Sequence, residues 1–176
     1  MSRITFRSFA GAALAALLGL WSSASFAETE AQLIYISAPG GSIYGVGAEF
    51  GGSSNMSFIA RAGGFSYSIT DGSYWEDGSG SFVGVSGRFY ATSPMEGMFF
   101  GAGVDLLSGD WNSGEYWSAA WHYDNGPISA VAPSAIVGYK IRAGSVSIEP
   151  SVSVVMVGNG TTTVAAGLGL IVGARF

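Results

Sequence analysis

Cysteine is absent from this 176-residue chain, so neither a disulfide nor a lipid carried on a cysteine can hold it. Charge is scarce as well: Asp, Glu, Lys and Arg make up 11% of the residues. Two of the seven cations, Arg3 and Arg7, precede residue 28. Five remain (Arg61, Arg88, Lys140, Arg142, Arg175) against all twelve acids, giving 5 − 12 = −7 for residues 28–176. So acidic a surface excludes nucleic acid as a partner, because phosphates need cations. Beyond residue 27 no run of about 18–20 apolar residues occurs, so no helix there could cross a bilayer.

Yet 48% of the residues are hydrophobic, and 28 are glycine, far above the roughly 7% of ordinary proteins. No collagen period accounts for the glycines, and the apolar residues fall at every second position rather than in helical steps. A chain this apolar without a spanning helix can enter lipid in one other way. Every backbone amide must then be paired within a closed β-barrel.

Residues 1–27 are expected to be a secretory signal. Arg3 and Arg7 form a basic start, "SFAGAALAALLGL" is the apolar stretch, and "SSASFA" brings Ser25 and Ala27 to a cleavage site after Ala27. Residues 28–176 then form one domain. Alternating stretches are read at 31–37, 42–50, 55–68, 80–91, 96–108, 128–142, 145–157 and 162–176. Short turns at 51–55, 92–96 and 143–144 alternate with joints at 38–41, 70–80, 109–127 and 158–161, of which 70–80 and 109–127 are long and read as loops while the other two are brief. That rhythm predicts an all-β, eight-stranded, antiparallel up-and-down transmembrane barrel with tight periplasmic turns and longer external loops.

The alternation separates two faces. Phe50, Phe58, Phe89, Phe100, Tyr139 and Phe176 all lie on the apolar face, near the same end of their strands. They are expected to form an aromatic girdle at the lipid interface. Glu49, Arg61, Arg88, Asp105, Lys140 and Glu149 lie on the opposite face and are expected to pair inside the lumen, which eight strands leave just wide enough for side chains. Gly45, Gly47, Gly84, Gly101, Gly103, Gly138, Gly167, Gly169 and Gly173 share that inner face, where missing side chains relieve crowding or leave a pocket. The competing reading is a soluble β-sandwich with its apolar face inward.

The final stretch, "VAAGLGLIVGARF", places Leu168, Leu170, Val172, Ala174 and Phe176 in alternation. It resembles the C-terminal assembly signal of outer-membrane proteins, and the architecture resembles the small barrels of the outer membrane protein A and X type. The resemblance implies export to the outer membrane, insertion by the barrel-assembly machinery, contact with outer-membrane lipid and lipopolysaccharide, and a monomer without cofactor.

Chemistry is sparse. The single histidine, His122, stands in "WHYDNG", which has some similarity to the His-x-Ser-Asn motif of lipid A 3-O-deacylases. There His122 and Asn125 match, but Asp124 replaces the serine nucleophile and Ile136 stands where an orienting carboxylate is needed. No catalytic residue and no metal site are assigned, although Asp71, Glu76, Asp77, Asp110, Glu115 and Asp124 crowd the external joints without a cation among them. Trp75, Trp111, Trp117, Trp121 and Tyr123 lie there too. They are candidate binding residues, or else rings seated at the upper lipid interface. The expected function is a structural or surface-interaction role through these acidic, aromatic segments. The alternatives are a lipid A-modifying acyl hydrolase centred on His122 and a narrow pore or carrier for a small hydrophobic ligand.

Overall fold

The computed structural model describes residues 28–51, 54–158 and 162–176. The expected signal, 1–27, and its cleavage site lie outside the described residues. Eight strands follow in order: β1 Glu28–Ala38, β2 Gly41–Gly51, β3 Met56–Asp71, β4 Tyr74–Tyr90, β5 Gly97–Trp117, β6 Ala120–Ala143, β7 Val146–Gly158 and β8 Thr162–Arg175. Each pairs antiparallel with its sequence neighbour, and β1 closes the ring on β8 through Glu30↔Arg175 to Ser37↔Leu168. Closure removes the edges that lipid could not satisfy.

Alternation puts the apolar side chains outward. Leu33, Val46, Phe58, Phe100, Val131, Leu168 and Leu170 are 49–72% exposed, while Glu30, Glu49, Lys140 and Glu149 on the other parity are fully buried. A water-soluble sandwich would show the reverse. The lumen is not wholly polar, however. Ile34, Ile36, Phe99, Ile136 and Ile171 form an apolar layer within it.

The segments read as long loops are a correction to the sequence reading. Both belong to strands. Asp71 pairs with Tyr74 across a two-residue turn at 72–73, and Trp117 pairs with Ala120 across Ser118 and Ala119, whose φ values of 52° and 63° suit a hairpin of native twist. The β5–β6 ladder then runs in unbroken register from Trp117↔Ala120 to Gly97↔Lys140. Gly, Ser, Asp and Asn there have poor β-propensity, which made 70–80 and 109–127 look like loops. Cross-strand packing compensates: the Tyr116 and Trp121 rings are 5.4 Å apart, and Trp117 stacks on His122 at 4.0 Å. β7 pairs with β6 only from Ser134↔Val155 downward, so β3–β6 rise as a projecting wall above the shorter strands.

On the outward face the apolar band ends in serine. Ser37↔Ser42, Ser42↔Ser66 and Ser66↔Ser79 are register partners on β1–β4, and Ser81↔Ser108 and Ser108↔Ser129 continue the belt to β6. From Phe89 up to Ser81 is about 26 Å along the strand at ~3.3 Å per residue. A tilt of about 40° reduces that to about 20 Å of height, close to the hydrocarbon band of such barrels.

At the opposite end, the turn between β4 and β5 tucks Met95 beneath the wall. Its side chain is 1% exposed, in the apolar layer with Tyr90 and Phe99, and lies where a Cβ at Gly51 would stand. Met95 holds φ at 53°, a left-handed conformation offset by that burial.

The inward glycines are crossing points. Arg61, Gly84 and Asp105 are successive register partners on β3, β4 and β5. With no side chain at Gly84, the Arg61 guanidinium reaches across β4 to the carboxylate; an added Cβ would strike Asp105 Oδ1. Gly173 likewise leaves room for Glu30 and Ser147 to meet. Gly87, facing outward, has open space around it. Gly84→Ala should therefore lower unfolding stability by about 1–3 kcal/mol, the usual cost of overpacking. Gly87→Ala should leave it unchanged or raise it by about 0.5–1 kcal/mol. Urea unfolding of the two variants in phospholipid vesicles measures the difference.

Candidate functional site

Two groups of side chains stand out: an ionic network in the lower lumen and an acidic, aromatic sheet above the serine belt.

The network centres on Lys140, which β6 places on the inner face and which is fully buried. Its ammonium lies 2.7 Å from Glu30 Oε1, 2.7 Å from Glu49 Oε2 and 2.9 Å from Glu149 Oε1. These three carboxylates lie close enough to hold a metal ion, but the Lys140 ammonium already fills the space among them. Arg88 Nη1 donates to Glu149 Oε2 at 2.6 Å, and its guanidinium carbon sits 4.3 Å above the Phe99 ring. Glu49 also accepts from Tyr90 Oη at 2.6 Å, from Gln32 Nε2 at 2.9 Å and from Ser57 Oγ. Nearer the mouth, Glu28 accepts from Arg175 at 2.7 Å and from Arg142 at 3.3 Å. Above the apolar layer, Arg61 makes a two-pronged contact with Asp105 at 2.9 and 2.7 Å and donates to Ser134 Oγ.

Every Lys and Arg of residues 28–176 is thus ion-paired in or at the mouth of the lumen, with five acids: Glu28, Glu30, Glu49, Asp105 and Glu149. The sequence reading missed Glu28, Glu30, Gln32, Arg142 and Arg175 as members. The signal was available for β1, since Glu28 and Glu30 continue the two-residue step of Gln32 toward the strand's start, ahead of the stretch 31–37. The charges bring no free nucleophile or open coordination position together; they neutralise one another.

Of the twelve acids, 12 − 5 = 7 remain, and only Glu96 of these sits at the lower end. Asp71, Glu76, Asp77, Asp110, Glu115 and Asp124 all lie above the serine belt. The Tyr67 and Tyr74 hydroxyls both donate to Glu76, Tyr67 at 2.8 Å. That hydrogen bond, with some burial, pushes the Tyr74 phenol up to about 12. Burial, then the same carboxylate, raises Tyr67 further.

The candidate binding residues divide between the two faces of the wall. Trp75, Tyr123 and Trp121 point outward with Tyr116; Trp111 and Trp117 point inward with His122. Tyr116, Trp117, Trp121 and Tyr123 are 45–71% exposed. Trp75 packs over Gly114, and Trp111 over Gly126. His122 stacks on Trp117 and is the register partner of Glu115, and Asp124 caps the Asn125 amide at 2.8 Å. None of these contacts gives His122 a hydroxyl nucleophile.

The six aromatics of the lower girdle point outward. Phe58, Phe89, Phe100, Tyr139 and Phe176 are 40–85% exposed, and the Phe89 and Phe100 rings are 5.2 Å apart. Phe50, half-buried, is the register partner of Phe58.

Solved structures share this architecture. The N-terminal β-barrel domain of Pseudomonas aeruginosa OprF matches at 13% identity with a TM-score of 0.50, over 85% of this chain and 97% of that one. Ail, the attachment invasion locus protein of Yersinia pestis, matches at 10% identity with a TM-score of 0.52, over 85% of this chain and 95% of that one. The fold is that of an eight-stranded outer-membrane β-barrel. No protein-family model matches the sequence, and neither does any curated protein.

Removing the central ammonium should be costly. Lys140→Met leaves three buried carboxylates without their shared cation and should destabilise the barrel by about 3–5 kcal/mol. Adding Glu49→Gln to that variant should recover part of the loss. The unfolding midpoints of the single and double variants test this; a Lys140→Met barrel as stable as the parent would contradict the network's role.

Proposed function

We propose that this chain is an integral outer-membrane protein that holds a rigid acidic sheet above the membrane surface to contact other molecules, and that it passes no bulk solute. One observation carries the reading. The β5–β6 ladder continues nine residue pairs beyond Ser108↔Ser129, to Trp117↔Ala120, while the lumen beneath is filled by apolar and ion-paired side chains.

The height of the wall bears on the role of its rings. Tyr116 lies about 26 Å along the strand above Ser108 at ~3.3 Å per residue, or about 20 Å in height at a tilt of about 40°. Rings of an interfacial belt sit at the headgroup level, where one end is apolar and the other wet. Tyr116, Trp121 and Tyr123 stand well above that level, which favours the binding role over the belt. They are carried on paired strands, so little conformational entropy is lost when a partner docks.

A filled lumen supports a structural or adhesive task over a pore or carrier. The inward glycines leave no unclaimed pocket at the crossings described, because neighbouring groups occupy the space. An acyl hydrolase at His122 has no support in the contacts of that side chain.

The absence of native cysteine makes the placement directly testable. Ala120→Cys at the wall's tip should react with a membrane-impermeant maleimide on intact cells, and Ser145→Cys in the opposite turn should react only after the membrane is opened. The parent protein in planar bilayers should show no discrete conductance. Equal labelling of both cysteines, or steady channel openings, would refute the reading.

A further inference from the structure

We infer that the outward face of the projecting wall is a docking surface for the sugar headgroup of a glycolipid in the surrounding leaflet. The inference rests on the membrane placement proposed above.

Continuity comes first. The strands that present Val83, Leu106 and Val131 to hydrocarbon run on without a bulge, in the same parity, through the serine belt and beyond it. A lipid whose chains lie against those three residues must set its headgroup against the rows directly above. The occupant of that face is therefore a lipid headgroup, before its chemistry is considered.

Height then selects the kind of headgroup. The headgroup layer of an ordinary phospholipid is about 5–8 Å thick, from the difference between the hydrocarbon and full bilayer thicknesses. The polar and aromatic rows climb about 20 Å above Ser108, given ~3.3 Å per residue and a tilt of about 40°. A phospholipid covers only the lowest of these rows. A headgroup several sugar rings tall reaches the top.

The side chains match that occupant. Above the belt, Ser79 faces Asp110 across β4 and β5, and in the next row Asp77, Asn112 and Asn125 are successive register partners on β4, β5 and β6. Sugar hydroxyls donate to carboxylate and amide oxygens and accept from amide N–H and serine O–H, so these groups serve both needs of a polyol. Higher again, Trp75 and Tyr123 flank Gly114, and the Trp121 ring is inclined by 22° to that of Tyr123, with centroids 6.3 Å apart. Flat rings receive the C–H faces of a pyranose. Among the described residues of this face there is no Lys or Arg, so paired recognition of phosphate is not what the surface offers. The sugars are the part it reads.

The test compares lipid A bearing its core oligosaccharide, lipid A without that core, and phosphatidylglycerol, each titrated against the purified full chain in detergent and read by native mass spectrometry. Core-bearing lipid A should bind at least about tenfold more tightly than bare lipid A, as the gain of one to three net hydrogen bonds allows. That preference should vanish in the combined variant Asp77→Ala, Asp110→Ala, Asn112→Ala and Asn125→Ala, and persist in the inward-facing variant Glu115→Ala. The heat-dependent gel shift of each variant reports its folding. Should the combined variant lose that shift, the pair Trp75→Ala and Tyr123→Ala takes its place, with the same loss expected. Equal binding of the two forms of lipid A, or a preference that survives these substitutions, overturns the inference. Labelling of Ala120→Cys separates the two levels: a labelled tip without sugar preference removes the docking surface alone, and an unlabelled tip removes the membrane placement with it.

Discussion

In hydrocarbon an unpaired backbone amide has no water to turn to, and that penalty shapes this chain more than any side-chain contact. Eight strands close on themselves because an open edge could not survive in lipid. Once closed, the ring is so narrow that whatever faces inward is stripped of water. Burying a lone charge there costs several kcal/mol, so each inward ion must find a counter-ion. Lys140 among Glu30, Glu49 and Glu149 follows from ring closure rather than from any catalytic need. Ring closure also explains the glycines. Side chains from neighbouring strands compete for one narrow volume, and Gly84 and Gly173 yield theirs so that ionic and polar partners can meet across them.

Charge is consequently partitioned along the barrel axis. All five cations of residues 28–176 are taken up by lumenal pairing and its mouth, so none remains for the projecting wall. The net charge of residues 28–176 lies almost wholly at one end, carried by six acids that share a sheet with exposed tryptophan and tyrosine. Self-repulsion among them is eased by distance and by hydrogen bonds such as those from Tyr67 and Tyr74 to Glu76. The arrangement disfavours anionic partners at the tip and leaves hydroxyl-rich and cationic ones admissible.

How much of this could be read from the residues depends on what each feature needs. Parity needs only alternation, so both faces were legible: Phe100 out and Phe99 in, Ile148 out and Glu149 in. Strand number needed the turns, and the short ones at 92–96 and 143–144 announced themselves by Pro and Gly. Strand length was harder, because propensity is local and pairing is not. "GDWNSGEYWSAAWHYDNGP" scatters its Trp and Tyr among Gly, Ser, Asp and Asn, and only the cross-strand stacking of Trp117 on His122 and the tilted packing of Tyr116 against Trp121 reveal it as ladder. The composition of the ionic network was half legible. Glu49, Arg88, Lys140 and Glu149 declared themselves by parity, but which of them meet depends on strand stagger, which no single strand encodes. Met95 carried no signal at all: a methionine after proline in a turn gives no hint that it will cap the lumen.

The serine belt shows why the outer surface should be treated as one ladder in two solvents. Nothing in the backbone changes at Ser81, Ser108 and Ser129; the register passes through unaltered, and so does the inward–outward alternation. Only the chemistry of the outward residue changes, from Val83, Leu106 and Val131 below to Ser79, Asp110 and Asn112 above. Because β4 and β5 stay paired to both neighbours on both sides of that line, they can alter their outer residues row by row without risk to the ladder. The lower rows are constrained to hydrocarbon. The upper rows are free to match whatever stands beside them, so their composition records the neighbour more faithfully than it records the fold.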